Sequence, residues 1–393
     1  MSITAAEGFV AGGGAIGIKE SGAPDVAIVA TADHEPVAAA AVFTTNLACA
    51  APVQVSREHL SDGRAAAIIL SSGNANAATG EAGRANARRM CELTGEALGI
   101  ATGDVLVCST GLIGIPMPMD VVEIGVPKVA GALRAGAEGA AQAATAMLTT
   151  DTVRKEAVAA FARGTVGGMA KGAAMLSPAM ATMLAVLTTD APVEPPVLRR
   201  ALADAVALSF DRLCVDGCRS TNDTVAVLAS GRAGGAPLES RDDVRALTDA
   251  MAEVCSSLAE QMARDAEGAN KFVRIVVTGA RSDADALIAA RAIAASQLVQ
   301  CSLHGNDPYW GRVLSEIGAS GAHCDPERVD ISYGEVTVCR DGIACEHDVA
   351  KLAGAMEAHD VTVHSELHLG HGEATILTTD LSPAYIAENM RTS

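Results

Sequence analysis

A core with almost no aromatic rings must be closed by aliphatic side chains, and that is the strongest constraint this sequence places on its fold. Aromatic residues occupy 2% of the 393 positions, while apolar residues of all kinds occupy 49%. Ala, Val, Leu, Ile and Met must therefore fill the interior. The 38 glycines imply many tight turns and places where backbones approach closely. The length suffices for two ordinary domains or one large two-part core.

Charge excludes several classes of partner. Lys and Arg number 29 against 47 Asp and Glu, a net charge of −18. Binding to nucleic acid needs clustered Lys and Arg to neutralise phosphates, and no such cluster is found. Docking on an anionic membrane is disfavoured for the same reason. The N-terminal MSITAAEGFV lacks the basic and apolar regions of a secretory signal. No window reaches the ~18 uninterrupted apolar residues of a membrane span. The ten cysteines form no CxxC pair, so reduced, buried thiols are expected. These features describe an acidic cytoplasmic protein.

Strand and helix patterns alternate along the chain. Ala65–Leu70 (AAAIIL), Val105–Cys108 and Phe272–Thr278 read as strands. Met183–Leu187 reads as a buried strand or the start of a helix. Val129–Leu148 is Ala-rich and predicts one helix, ending at Thr149-Thr150-Asp151, whose side-chain oxygens suit a turn or a ligand. Val244, Leu247, Met251, Val254, Leu258 and Met262 lie three or four apart, the apolar face of a long helix. Gly268 is its expected stop. Ala284–Val299 predicts another helix, capped by Ser282 or Asp283. Val329–Cys339 and Asp360–Leu369 alternate like half-exposed antiparallel strands. The fold class is α/β, with mixed sheets and helices packed outside.

The sharpest chemical feature is the run Pro178-Ala179-Met180-Ala181-Thr182-Met183. A threonine hydroxyl is a poor nucleophile until a base stands beside it. A free α-amino group, with a pKa of about 7.7–8.0, is such a base. An N-terminal threonine therefore carries its own activator. In mid-chain that requires a cut between Ala181 and Thr182. The same hydroxyl can make it, by attacking the Ala181 carbonyl to form an ester that water then opens.

Segments spread nearly end to end carry a resemblance. They include GFVAGGGAIGIKESGAPDVA (8–27), SSGNANAATG (71–80), CSTGLIG (108–114), MLTTDTVRKEA (147–157), GGMAKGAAMLSPAMATMLAVLTTDA (167–191), STNDT (220–224), DAEGANK (265–271) and TTDLSPAYIAEN (378–389). In this order they resemble the glutamate N-acetyltransferase family, also called ornithine acetyltransferases. The resemblance implies a self-cleaving fold in two parts: an alpha chain, 1–181, and a beta chain, 182–393, that begins with the nucleophile. It implies ping-pong transfer of acetyl from N-acetylornithine to glutamate through acetyl-Thr182, in arginine biosynthesis and without a cofactor. Two alpha and two beta chains are expected to form a heterotetramer. Whether acetyl-CoA also serves as donor is left open.

The same resemblance places an oxyanion hole at Thr110 and Gly111, where a hydroxyl and a backbone N–H would face the developing charge. Read without it, Ser-Thr-Gly is a strand-ending turn. Substrate contacts are implied at Thr149, Lys171, Thr182, Glu267, Asn389 and Ser393, with Lys171 suited to a carboxylate and Glu267 to an ammonium. Without the resemblance, Lys171 reads as a surface lysine and Glu267 as a solvated helix-end acid. The sequence departs from the family pattern at Tyr309, Asn270, His368, His371 and in a tail one residue short. His364, His368 and His371 fall on a strand and a turn rather than one helical face, so no metal site is expected. The rival enzyme reading is an amidase or aminopeptidase on the same self-cleaving architecture, with water taking the acyl group. A third reading is an uncleaved, inactive binding protein.

Overall fold

A computed structural model describes residues 2–176 and 183–390. Ala181, Thr182 and Ser393 lie outside the described residues. The chain begins with strands β1 (Phe9–Gly14), β2 (Val26–Thr31) and β3 (Val37–Phe43), helix α1 (Ala51–His59), β4 (Arg64–Ala65), β5 (Ala67–Asn74) and α2 (Gly80–Leu98). Next come β6 (Val105–Leu112), α3 (Met119–Ala130), α4 (Ala137–Ala146), β7 (Lys155–Phe161) and β8 (Gly164–Lys171). Then follow β9 (Leu184–Thr189), α5 (Pro195–Leu208), β10 (Thr224–Ala229), α6 (Arg241–Arg264), β11 (Phe272–Ala280), α7 (Asp283–Ala295), α8 (Gln297–His304) and α9 (Trp310–Ala319). The last group is β12 (Asp330–Tyr333), β13 (Val336–Arg340), β14 (Ile343–Ala344), α10 (Val349–Glu357), β15 (Asp360–Glu366), β16 (Gly372–Thr379) and α11 (Pro383–Asn389).

The strands form three mixed sheets, in the orders β1-β2-β5-β6, β4-β3-β10-β9-β8-β7 and β14-β13-β12-β15-β11-β16. The first two stack face to face. Ala27, Val29, Ile68, Leu70 and Leu106 share one core with Leu184, Val186, Ala226 and Leu228. The alternate residues of the first sheet, Val26, Ile28, Ile69 and Val107, pack against α1, α2 and α3. Those of the second, Ala185, Leu187, Val225 and Val227, pack against α5 and α6. The result is a helix–sheet–sheet–helix sandwich. The third sheet has its own core with α7, α9 and α10. Inner strands buried on both faces explain why AAAIIL and VAIVAT run without polar interruption.

The long amphipathic helix is α6, and Leu247, Met251, Val254, Leu258 and Met262 are buried as expected, with Val244 half-buried at its start. Its C-cap is Asp265 rather than Gly268. Gly268, at φ 63°, serves another end: a Cβ there would lie 2.2 Å from the Tyr385 nitrogen, so only glycine lets α11 come so close. Of Met183–Leu187, Leu184–Leu187 lie in strand β9, and Met183 directly precedes it.

Two expected helices are each divided. The Val129–Leu148 stretch is interrupted between α3 and α4, because Arg134 exchanges two backbone hydrogen bonds of 3.0 Å with Ala11 and is drawn alongside β1. The Ala284–Val299 stretch breaks at Ser296, which caps α8, and the two pieces bend by 61°. Ser282 is the N-cap of α7, accepting the Asp285 N–H. None of the ten cysteines is joined in a disulfide, but Cys218 and Cys301 are exposed, contrary to the expectation of burial. No single helix among the described residues is long and apolar enough to cross a membrane.

Candidate active site

Three neighbouring strands of the second sheet end at one place. Lys171, the last residue of β8, is paired with Leu184, the first of β9. Leu184 is level with Thr224, the first of β10. Lys171, Leu184 and Thr224 are thereby gathered at one end of the sheet, with Met183 and Asp223 directly preceding the last two in the chain. The first sheet is pinned to the same spot. The Asn222 side-chain amide donates to Ser109 O at 2.8 Å and to Ala75 O at 2.6 Å. The Cys108 thiol, pushed up to about 12 by burial, bonds the Thr224 side chain.

Thr110 follows Ser109 in β6 and is buried. Its hydroxyl oxygen has no hydrogen-bond partner among the described residues. A buried hydroxyl without a partner costs stability, on the order of 1–3 kcal/mol, unless something fills the role. Gly111 is next, at φ 131°, opposite Gly73 of β5. A Cβ on Gly111 would lie 2.3 Å from the Gly73 carbonyl carbon, so two glycines are what lets these strands meet. Both residues lie within β6, which runs on to Leu112. The alternative reading of CSTG as a strand-ending turn is corrected accordingly: the pairing with β5 continues past it.

Lys171 is no surface lysine. It is 3% exposed, and its Nζ lies 3.7 Å from Asp151 Oδ2. Asp151 also accepts the Lys155 ammonium at 2.7 Å and the Gly172 N–H at 2.7 Å. Lys155 in turn reaches Asp265 at 2.5 Å. Burial lowers the Lys171 pKa, with Lys155 adding to the effect and Asp151 and Glu267 opposing it. Burial alone would raise Asp151, but the Lys171 and Lys155 charges hold it below the ordinary carboxylate range. Lys19 is lowered by burial and feels both Lys171 and Asp151. Thr149 joins through its backbone N–H, 3.2 Å from Asp151 Oδ2.

The acidic side of the site is built differently. Glu267 is half-buried rather than solvated. Its backbone N–H donates to Ala173 O at 2.9 Å, tying it to the loop after Lys171. Its Oε2 accepts the Asn389 side chain at 2.9 Å from α11. Thr149 is linked to Lys171 through Asp151, Asn389 is tied through Glu267 to Ala173 in the loop after Lys171, and Thr110 and Gly111 follow the Ser109 carbonyl that Asn222 holds. The arrangement offers a cation for a carboxylate, an acid for an ammonium, and an unspent hydroxyl donor.

Sequence reasoning missed four members. Lys19, Lys155 and Asp223 lie inside quoted segments without an assigned part, and Asp151 was read as a turn or ligand oxygen without an ionic role. The histidines disperse: His364 Nε2 meets Thr278 Oγ1 at 2.7 Å, and His368 Nε2 meets Asp330 at 3.1 Å. No group of three or more potential metal ligands occurs among the described residues. Tyr309 is exposed beside Arg312, and the Asn270 backbone N–H donates to Asp380 at 2.8 Å.

Comparison with known proteins places the chain in a family. The arginine biosynthesis bifunctional protein ArgJ of Streptomyces coelicolor is 44% identical over 389 residues, 99% of either chain. The protein of the same name from Mycobacterium leprae is 48% identical over 398 residues, covering 99% of this chain and 95% of that one. The crystal structure of ArgJ from Bacillus halodurans matches with a TM-score of 0.50 and 34% identity, over 52% of this chain and 96% of that one. The family model for ArgJ matches residues 10–392, and the chain belongs to the ArgJ family.

Proposed function

We propose that this protein is an acetyltransferase of arginine biosynthesis that cuts itself between Ala181 and Thr182 and then moves acetyl from N-acetylornithine to glutamate through Thr182. The Thr182 hydroxyl adds to the Ala181 carbonyl, the peptide nitrogen leaves with a proton, and water hydrolyses the ester. The freed amine then takes the hydroxyl proton as Thr182 attacks the acetyl carbonyl. The Thr110 hydroxyl and Gly111 N–H hold the resulting oxyanion. Ornithine leaves with the proton, and the glutamate amine takes the acetyl group from the ester. Lys171 and Glu267, with Thr149, Asn389 and Ser393, hold the carboxylate and ammonium common to both amino acids.

The observation that carries this reading is the buried Thr110 hydroxyl, which has no partner among the described residues and follows the Ser109 carbonyl that Asn222 holds near the start of β10. Family membership supports the same chemistry. The heterotetramer of two alpha and two beta chains and the cytoplasmic location belong to this proposal.

The test is to mix enzyme with N-acetylornithine alone and map the acetyl group. One acetyl on Thr182, discharged by glutamate as N-acetylglutamate, is expected, together with parallel double-reciprocal plots. Intersecting plots and no trapped acetyl would overturn the covalent route. Release of free acetate at an equal rate with and without glutamate would favour the amidase reading instead. Thr110→Ala should lower kcat by roughly 10²–10³-fold with little change in KM, as for loss of one oxyanion donor. Unchanged turnover in the folded variant would remove Thr110 from the mechanism.

A further inference from the structure

Lys19 has no part in the proposed reaction, yet its side chain runs from the first sheet to the turn beside Lys171. A Cβ at Gly73 would lie 2.9 Å from Lys19 Cγ, so the lysine stem rests directly on that glycine. Gly73 is the residue of β5 paired with Gly111. The ammonium lies further along, donating to Leu148 O at 2.6 Å and to Pro24 O at 2.6 Å. Leu148 directly precedes Thr149, whose N–H bonds Asp151, the acid 3.7 Å from Lys171. Lys19 thus reaches from the strand beside Gly111 to the turn that carries Thr149.

What this ammonium lacks is an acid. Both of its bonds go to neutral carbonyls, and it forms no ion pair among the described residues. An ammonium has three N–H donors, so one is left without an acceptor there. The neighbouring carboxylates are committed elsewhere. Asp25 accepts the backbone N–H groups of Ile16, Gly17, Ile18 and Lys19 itself. Asp151 and Asp265 both receive Lys155. Lys19 is half-buried, and the Lys171 charge opposes its own. A half-buried cation with a spare donor and no acid of its own is suited to an anionic ligand.

The proposed substrates differ in this respect. N-acetylornithine carries one carboxylate, which Lys171 suits, whereas glutamate carries two. We propose that Lys19 is a specificity-determining residue, the cation that receives the second carboxylate of the acceptor glutamate. The proposal rests on glutamate being the acceptor. The donor has no group for this contact, so Lys19 acts in the second half of the reaction and not in the first.

Separating the two half-reactions tests this. Enzyme acetylated with N-acetylornithine is discharged with glutamate or with glutamine, whose side-chain amide replaces the carboxylate at nearly equal size. Wild type should prefer glutamate in kcat/KM by roughly 10–100-fold, the worth of one charge-assisted hydrogen bond. Lys19→Met, which keeps the stem and removes the charge, should lose most of that preference through a raised KM for glutamate. Its rate of acetylation by N-acetylornithine should stay within about threefold of wild type. Equal losses in both half-reactions would mean that Lys19 only braces the Leu148 turn, and would overturn the proposal. A wild type indifferent between the two acceptors, or a folded Lys19→Met with the full preference, overturns it as well. If Lys19→Met does not fold, Lys19→Gln, which keeps an N–H donor without the charge, must show the same collapse of preference; a folded Gln variant with wild-type preference overturns it. Wild-type protein that takes no acetyl from N-acetylornithine would instead sink the proposed function, and this inference with it.

Discussion

Thr182→Ala protein should remain a single chain of 393 residues and transfer no measurable acetyl. Loss of a catalytic nucleophile elsewhere lowers kcat on the order of 10⁶-fold, and here the same change removes the processing step as well. The two losses separate with Thr182→Ser, which keeps a hydroxyl. Intact mass reads processing, and N-acetylglutamate formation reads transfer. The serine variant should cut itself and retain part of the activity. The alanine variant should keep the wild-type fold by circular dichroism, because the strands on either side, β8 and β9, are paired through Lys171 and Leu184 independently of residue 182. Two fragments from the alanine variant, or acetyl transfer by its intact chain, would refute the assignment.

Asp151→Asn should destabilise the protein by about 3–5 kcal/mol, the cost of removing one partner from a buried ion pair. Asp151 is shared by Lys155 at 2.7 Å and Lys171 at 3.7 Å, and it also receives the Gly172 N–H. Lys155 would keep Asp265, whereas Lys171 would be left buried without its nearest counter-charge. Urea unfolding should show a lower midpoint with an unchanged slope. The effect is pH-dependent. The folded pKa of Asp151 lies below the ordinary value. Its contribution is therefore fully present above the unfolded value of about 3.9 and fades as pH falls below that. The gap between wild type and variant should be constant near neutrality and narrow in acid. A midpoint within experimental error of wild type at pH 7 would show that the lysines find other compensation.

How far the sequence discloses the molecule depends on what kind of force is being read. Strands such as Val26–Thr31 announce themselves because both faces are buried, and no polar residue breaks the run. The face of α6 is equally plain, since apolar and charged residues alternate in register with a helix. Alanine-rich stretches give no such contrast. Nothing in Gly131–Gly136 says that Arg134 will bridge to Ala11, so one continuous helix is the natural reading and tertiary pairing overrules it. At the candidate site, Thr110, Gly111, Lys171 and Glu267 are expectations that the family resemblance supplies. The burial of Lys171 was not legible, because its counter-ion lies twenty positions away and a lysine between Ala170 and Gly172 looks ordinary. Asp223 was hidden for the same reason: its partner is the backbone of Met183, forty positions earlier, and backbone groups leave no mark in a sequence.

The antiparallel pairing of β8 with β9 carries a consequence for how the protein is made. Six residue pairs, from Val166 with Thr189 to Lys171 with Leu184, join the strands that flank the proposed cut, and they lie inside a six-stranded sheet. While the peptide is whole, forming that pairing is a unimolecular event whose rate does not depend on how much protein is present. Once the bond is gone, the same contacts must be found by two separate molecules, and recovery from denaturation becomes concentration-dependent. Processing would therefore act as a one-way step in the protein's history: the continuous chain is the form that learns the fold, and the cut form is the one that keeps it.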